Sequence, residues 1–187
     1  MMENVRSKVG ASLLIGSVEF LIALTLAEIL YPNYSLSANP LSDLGAGFFQ
    51  PSSNIFNVSV IIFGLLVILG AYFAMRAFHS KSLVVVMLLA GIGIAGVGFF
   101  IETILVPHLI FSFMAFFFSG VAAVLSFRLV TSRFRYFGAA LGMFTLVALV
   151  LFIVGVDFGL GHGGIQRMVV YPALIWYIGF GAHIIEG

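Results

Sequence analysis

The sequence predicts an all-α protein of the membrane, a polytopic bundle of six transmembrane helices. Three observations carry that reading. Six apolar stretches fill nearly the whole 187-residue chain, each close to the roughly 20 residues that cross about 30 Å of hydrocarbon at 1.5 Å per residue. Only 8% of residues are charged against 62% hydrophobic, and the mean hydropathy is +1.22; a water-soluble domain needs about a quarter of its residues charged to cover its surface. The few charges lie between the stretches or at their edges.

The expected spans are 8–30, 54–76, 82–104, 108–130, 135–156 and 165–186, forming a single transmembrane domain over 1–187. Span 1 follows Arg6 and Lys8. It is too long for a cleaved signal peptide, and its exit at Ile29-Leu30-Tyr31 is too poor in small residues. Tyr31 to Ser53 is the one long connection, and it holds Pro32, Pro40, Gly45, Gly47 and Pro51 among Ser and Asn, which is turn chemistry rather than helix. A loop that long in a chain otherwise stripped of loops is functional or a lid. The remaining connections are short, so consecutive helices are antiparallel neighbours. Gly91, Gly93 and Gly96 spell G-x-G-x-x-G inside span 3, with no strand before them, so they point to close helix packing and not to a dinucleotide site. Pro107 suits the first turn of span 4. Phe111, Phe113 and Phe116 to Phe118 face lipid or core. In span 5, Gly138 and Gly142 form a G-x-x-x-G pair, and such Gly-rich faces offer a route to a homo-oligomer. Pro172 removes a backbone hydrogen bond deep in span 6, which opens room for a cavity.

Seven of the eight Lys and Arg residues lie on one side of the bundle: Arg6, Lys8, Arg76, Lys81, Arg128, Arg133 and Arg135. The positive-inside rule therefore puts both termini in the cytoplasm. Lipid headgroups account for these cations, and no basic stripe for nucleic acid is present. The absence of cysteine removes disulfides, thiolate chemistry and cysteine metal ligands together.

The outer side carries a different mixture: Glu28, Ser35, Asn39, Ser42, Asp43, Asn54, Asn57, Glu102, His108, Ser112, Asp157, His162, Gln166, Arg167 and Tyr171. Topology does not require acids, imidazoles and amides there, and several lie about a turn inside the apolar boundary, where a charge must be paired or wet. Within this set, Tyr31-Pro32-Asn33-Tyr34-Ser35, Leu41-Ser42-Asp43-Leu44-Gly45-Ala46, Asn54-Ile55-Phe56-Asn57 and Gly163-Gly164-Ile165-Gln166-Arg167 with Tyr171-Pro172 and Trp176 resemble the prokaryotic membrane family Domain of Unknown Function 998. The resemblance implies six helices in the plasma membrane of a bacterium or archaeon and implies no reaction. Gln166 stands where the family pattern calls for an acid before the Arg. A looser likeness is to alkaline-ceramidase-like membrane hydrolases, whose late-helix His-x-x-x-His pair this chain lacks.

Candidate catalytic residues are His108, His162, Glu102, Asp43 and Asp157. His108 and Ser112 share a helix face, being four residues apart. Glu102 precedes His108 by one tight turn. Asp157 and His162 bracket the glycine-rich Phe158-Gly159-Leu160-Gly161. Two His and a carboxylate, His108, His162 and Asp43, meet the minimum for a divalent metal such as zinc with an open position; a hydrogen-bonded network closing the outer end is the competing account. Candidate substrate-binding residues are Arg167, Gln166, Tyr171, Ser42, Asn57 and Ser112. Arg167, placed in the first turn of span 6, would hold an anionic headgroup or pair internally with Glu102 or Asp157. Glu19, at the centre of span 1, is either a neutral, hydrogen-bonded carboxyl or a cavity-lining one. Glu28, nine residues on, faces the opposite way. Two functions remain open: an outward-facing hydrolase with a polar pocket for a lipid or other amphiphile, or a non-enzymatic lipid-binding or permease-like protein. Membrane lipids are the expected partners.

Overall fold

The computed structural model describes residues 2–47 and 51–186. The chain forms six helices, α1 (Met2–Leu30), α2 (Pro51–Ala77), α3 (Lys81–Phe99), α4 (Leu105–Ser126), α5 (Phe134–Val154) and α6 (Gly161–Glu186), with one 3₁₀ turn at Leu41–Gly45. Each helix is long and apolar enough to cross a membrane. No strand occurs among the described residues. Each helix packs against its neighbour in sequence, and α6 returns to α1, so the six close into a ring.

The helix ends differ from the expected spans for local reasons. Pro51 starts α2 three residues early because a proline at the first helical position loses no hydrogen bond. The chain leaves helical geometry at Phe100 (φ −106°, ψ 85°), which ends α3 at Phe99 and not near 104. That break puts Glu102 in the connection between helices. α5 stops at Val154 because Gly155 adopts the left-handed conformation (φ 75°) of a helix terminator. α6 begins at Gly161, four residues early. Arg167 therefore sits in its second turn, not its first.

Close packing depends on the glycines singled out above. A Cβ on Gly91 would stand 2.9 Å from the Gly64 carbonyl oxygen of α2, and one on Gly142 2.6 Å from the Gly120 carbonyl oxygen of α4. These faces are occupied by the chain's own helices, so they are not the surfaces through which copies would meet. Outward-facing residues such as Ile15, Ile22, Leu65, Val106, Val147 and Ile153 are exposed and apolar, as a lipid-facing belt requires. Phe113 and Phe117 join that belt, whereas Phe111 stacks on Phe100 at 5.1 Å. At the basic end, Arg76 donates to the Tyr72 hydroxyl at 2.7 Å and Arg135 to that of Tyr136 at 2.6 Å, an arrangement that lets apolar stems stay in lipid while charged heads reach water.

The orientation is testable because the chain is free of cysteine. Ala38 and Thr131 are exposed at opposite ends of the bundle. Ala38→Cys is expected to react with a membrane-impermeant maleimide in intact cells and Thr131→Cys only after lysis; the reverse pattern inverts the topology.

Candidate functional site

The segment Tyr31–Gly47 folds over one end of the bundle as a lid, and backbone polar groups hold it there. Inside the lid, the Tyr34 hydroxyl donates to the Pro40 carbonyl at 3.1 Å and Asn39 Nδ2 to Asp43 Oδ2 at 2.8 Å. Against α6, the Gly163 N–H donates to the Ser37 carbonyl at 2.8 Å, the Ser37 hydroxyl to the Leu160 carbonyl at 2.7 Å, and the Leu41 N–H to Gln166 Oε1. Against α2, Asn57 Nδ2 donates to the Gly45 carbonyl at 3.0 Å. The free N–H groups at the start of α6, which otherwise favour an anion, are thus turned to a lid carbonyl.

Arg167 is the hub of this lid. It is 5% exposed. Its Nη1 donates to the carbonyls of Leu36 (2.7 Å), Gly163 (2.9 Å) and Asn39 (3.1 Å). Its Nη2 donates to Glu28 Oε1 and to the Tyr34 hydroxyl, both at 2.7 Å. The ionic partner is therefore Glu28 of α1, not Glu102 or Asp157. Burial pushes the Tyr34 phenol up to about 12, against the opposing pull of Arg167, so Tyr34 keeps its proton and bridges guanidinium and lid. Tyr171 lies beside the same ion pair. Gly163 is required here, because a Cβ would overlap the Asn39 carbonyl and stand 2.7 Å from that of Leu36.

Beneath the lid lies a cavity of about 70 Å³ whose walls are mostly apolar, in contrast to the polar pocket expected above. Phe20, Phe56, Phe63, Ile94, Val97 and Phe116 form its body, and Ser42, His108, Ser112 and Gln166 cluster toward the lid. Pro172 lies in the same helix as the lining residues Val170, Ala173 and Leu174. His108 is buried, and its Nδ1 lies 2.7 Å from the Phe100 carbonyl. A carbonyl only accepts, so Nδ1 carries a proton, and when the ring is uncharged its lone pair is at Nε2. The bend that ends α3 thus frees the carbonyl that orients His108. At the far end the hydroxyls of Ser119 and Tyr177 are 3.0 Å apart.

A pair of carboxyls flanks the mouth. Glu102 lies within reach of the Ser42 hydroxyl and the Asp43 carboxyl, and its Oε2 is buried without a partner. Burial first, then the charge of Asp43, push the Glu102 carboxyl above the ordinary glutamate range, while His108 and Ser42 act in the opposite direction.

Not every candidate reaches this place. His162 is exposed and stacks on Phe152 at 4.7 Å. Asp157 accepts from the Gly159 N–H at 2.9 Å in a local turn. Asn57 holds the lid to α2. Among the described residues no three His, Asp or Glu side chains gather as a metal ion requires, so the expected set of His108, His162 and Asp43 does not assemble: two of its members face different surroundings on α4 and α6. Glu19 lies between α1 and α2 beside Ser59, away from the cavity. Sequence reasoning named Glu28 and Tyr34 at this end without giving them a site role, and missed Ser119 and Tyr177. A signal for Ser119 existed, since His108, Ser112, Ser119 and Ser126 fall within roughly 40° on one face of α4 at 3.6 residues per turn.

Two outcomes are expected. Arg167→Gln leaves the partly buried Glu28 unpaired, costing about 3 kcal/mol; a variant melting within a few degrees of the parent refutes this role. For Glu102, a raised carboxyl pKa contributes stability that is complete below the ordinary glutamate range and is lost as pH rises through the elevated value. The parent's melting temperature should therefore fall across that window and the slope should flatten in Glu102→Gln, as followed by melting curves between pH 4 and 8, about the range in which carboxyls and their shifted forms titrate.

Residues 14–183 match the family model described as protein of unknown function DUF998. No curated protein and no solved structure matches the chain. The match runs from near the middle of α1 through nearly all of α6, and all six helices fall within or across it; the chain belongs to the DUF998 family of proteins of unknown function.

Proposed function

We propose that the protein binds an amphiphile inside the bundle, with hydrocarbon among Phe20, Phe56, Phe63 and Phe116 and the polar end under the lid at Ser42, His108, Ser112 and Gln166. The observation that carries this is the cavity itself, apolar along its walls and polar at its lid end, which is the general pattern of small-molecule sites. Its volume is room for roughly five waters or for a polar group with the first few carbons behind it. The asymmetry of basic residues supports a mouth on the outer face of a prokaryotic plasma membrane, with both termini cytoplasmic.

A second reading, hydrolysis of the bound amphiphile, is favoured by the orientation of His108. With Nδ1 held by the Phe100 carbonyl, the Nε2 lone pair is placed to take a proton from a water or from the Ser112 hydroxyl on the same helix face, the step a general base performs. The Glu102 carboxyl, held above the ordinary glutamate range, would carry a proton at the mouth.

The test is photolabelling with an alkyl-diazirine amphiphile, followed by hydrolysis assays with acyl ester and amide amphiphiles in nanodiscs. Label is expected on the cavity phenylalanines, and Ala173→Leu, which fills the cavity, should abolish it. Labelling confined to the lipid belt refutes the binding reading. Turnover that drops by about 10²-fold or more in His108→Gln supports hydrolysis; labelling without turnover leaves a binding protein.

A further inference from the structure

Two side-chain nitrogens, Gln166 Nε2 and His108 Nε2, stand at the mouth. Gln166 is 6% exposed, and its Oε1 accepts from the Leu41 N–H. Because a backbone N–H can only donate, the oxygen of the amide is identified and the NH₂ group must point elsewhere. Gln166 Nε2 has no hydrogen-bond partner among the described residues, and neither has His108 Nε2. Neither atom is sealed from space, unlike Glu19 Oε2 or Ser59 Oγ, and both residues line the cavity. The cavity therefore presents one fixed donor, from Gln166, and beside it His108 Nε2, which accepts when the ring is uncharged, each on a side chain at least nine-tenths buried.

What the mouth lacks is equally specific. Arg167, the single Lys or Arg at this end of the bundle, is committed to Glu28, Tyr34 and three carbonyls. No other guanidinium or ammonium group is near enough to neutralise an anion under the lid. Glu102 and Asp43 stand at the rim, and carboxylate charge there repels a phosphate or carboxylate. A buried anion without a countercharge is far more costly than a neutral group of the same size.

Resting on the amphiphile reading above, we infer that the site selects an uncharged polar end that both donates and accepts, a hydroxyl or amide on a short apolar chain, and excludes phosphate and carboxylate headgroups. The hydroxyl or amide N–H is received by His108 Nε2, and its oxygen by the Gln166 amide. Gln166 is then the residue that sets specificity, and its oxygen side secures the lid while its nitrogen side reads the ligand.

The experiment is competition against the alkyl-diazirine label by three probes of one chain length: monolauroylglycerol, lauramide and dodecyl phosphate, with parent and Gln166→Glu at pH 8. The substitution retains the acceptor for the Leu41 N–H and turns the donor facing the cavity into an acceptor. In the parent, the glycerol ester and the amide should compete at least about tenfold better than the phosphate, a difference of about 1.4 kcal/mol. In Gln166→Glu the two neutral probes should each weaken by about tenfold or more, and the buried carboxylate should lower the melting temperature. Phosphate competing as well as the neutral probes overturns the inference and leaves the amphiphile site standing. Failure of all three probes to displace the label, or absence of specific label, removes the site itself. A Gln166→Glu protein that folds and binds the neutral probes unchanged assigns Gln166 to the lid alone and overturns its reading role; should it not fold, the ranking of probes on the parent decides.

Discussion

The ion pair between Arg167 and Glu28 is the constraint on which the lid end of the molecule rests. Taking a guanidinium out of water costs several kcal/mol, and the cost is offset only when good geometry and further hydrogen bonds satisfy its protons. Here one carboxylate, one phenol and three carbonyls meet it. They come from α1, the lid and α6, so a single side chain fixes the relative position of the first and last helices and of the segment that covers the space between them. The first and last helices are neighbours in the ring, and the ion pair lies where the ring closes.

That commitment shapes what lies beneath. A lid tied largely through main-chain carbonyls depends little on which side chain it carries at Leu36, and leaves the side chains at the mouth to face the cavity. The 3₁₀ turn delivers Ser42 and Asp43 to Glu102, and the break after α3 supplies both the Glu102 connection and the carbonyl that orients His108. Local backbone irregularity at Phe100 is tolerable at this depth because the carbonyl it frees is met by His108 Nδ1 and its N–H by the Gly96 carbonyl.

The spans were legible because hydrophobic length is a strong signal, and the long loop was legible as a lid from its prolines and glycines. The helix ends were less so: a proline starting α2 and a left-handed Gly155 ending α5 are local effects that hydropathy does not register. Arg167 stood out as the sole outer cation, yet its partner was sought in Glu102 and Asp157, nearer candidates by loop position. Glu28 lies 139 residues away in sequence, and a pairing of that range depends on ring closure, which no spacing in the chain encodes. Among 21 phenylalanines, nothing in the sequence distinguishes Phe20, Phe56 and Phe63 as cavity walls. The serines of α4, repeating on the His108 face, did contain that information. Gln166 was named as a binding residue, but only the bond to the Leu41 N–H reveals which end of its amide is free.

The Ser119–Tyr177 contact marks the floor of the cavity. Below it, Trp176, Phe180 and Ser126 are sealed, with the indole N–H of Trp176 donating to Ser126 at 3.1 Å. The chamber is thus blind at its inner end. A chamber with one door has no vectorial function by itself: whatever enters under the lid, or between helices near it, must leave the same way, and its concentration inside tracks that of a single leaflet. Passage from one side of the membrane to the other would require the tightest aromatic packing in the bundle to part, whereas exchange with the lid side requires only that a hydrogen-bonded loop lift.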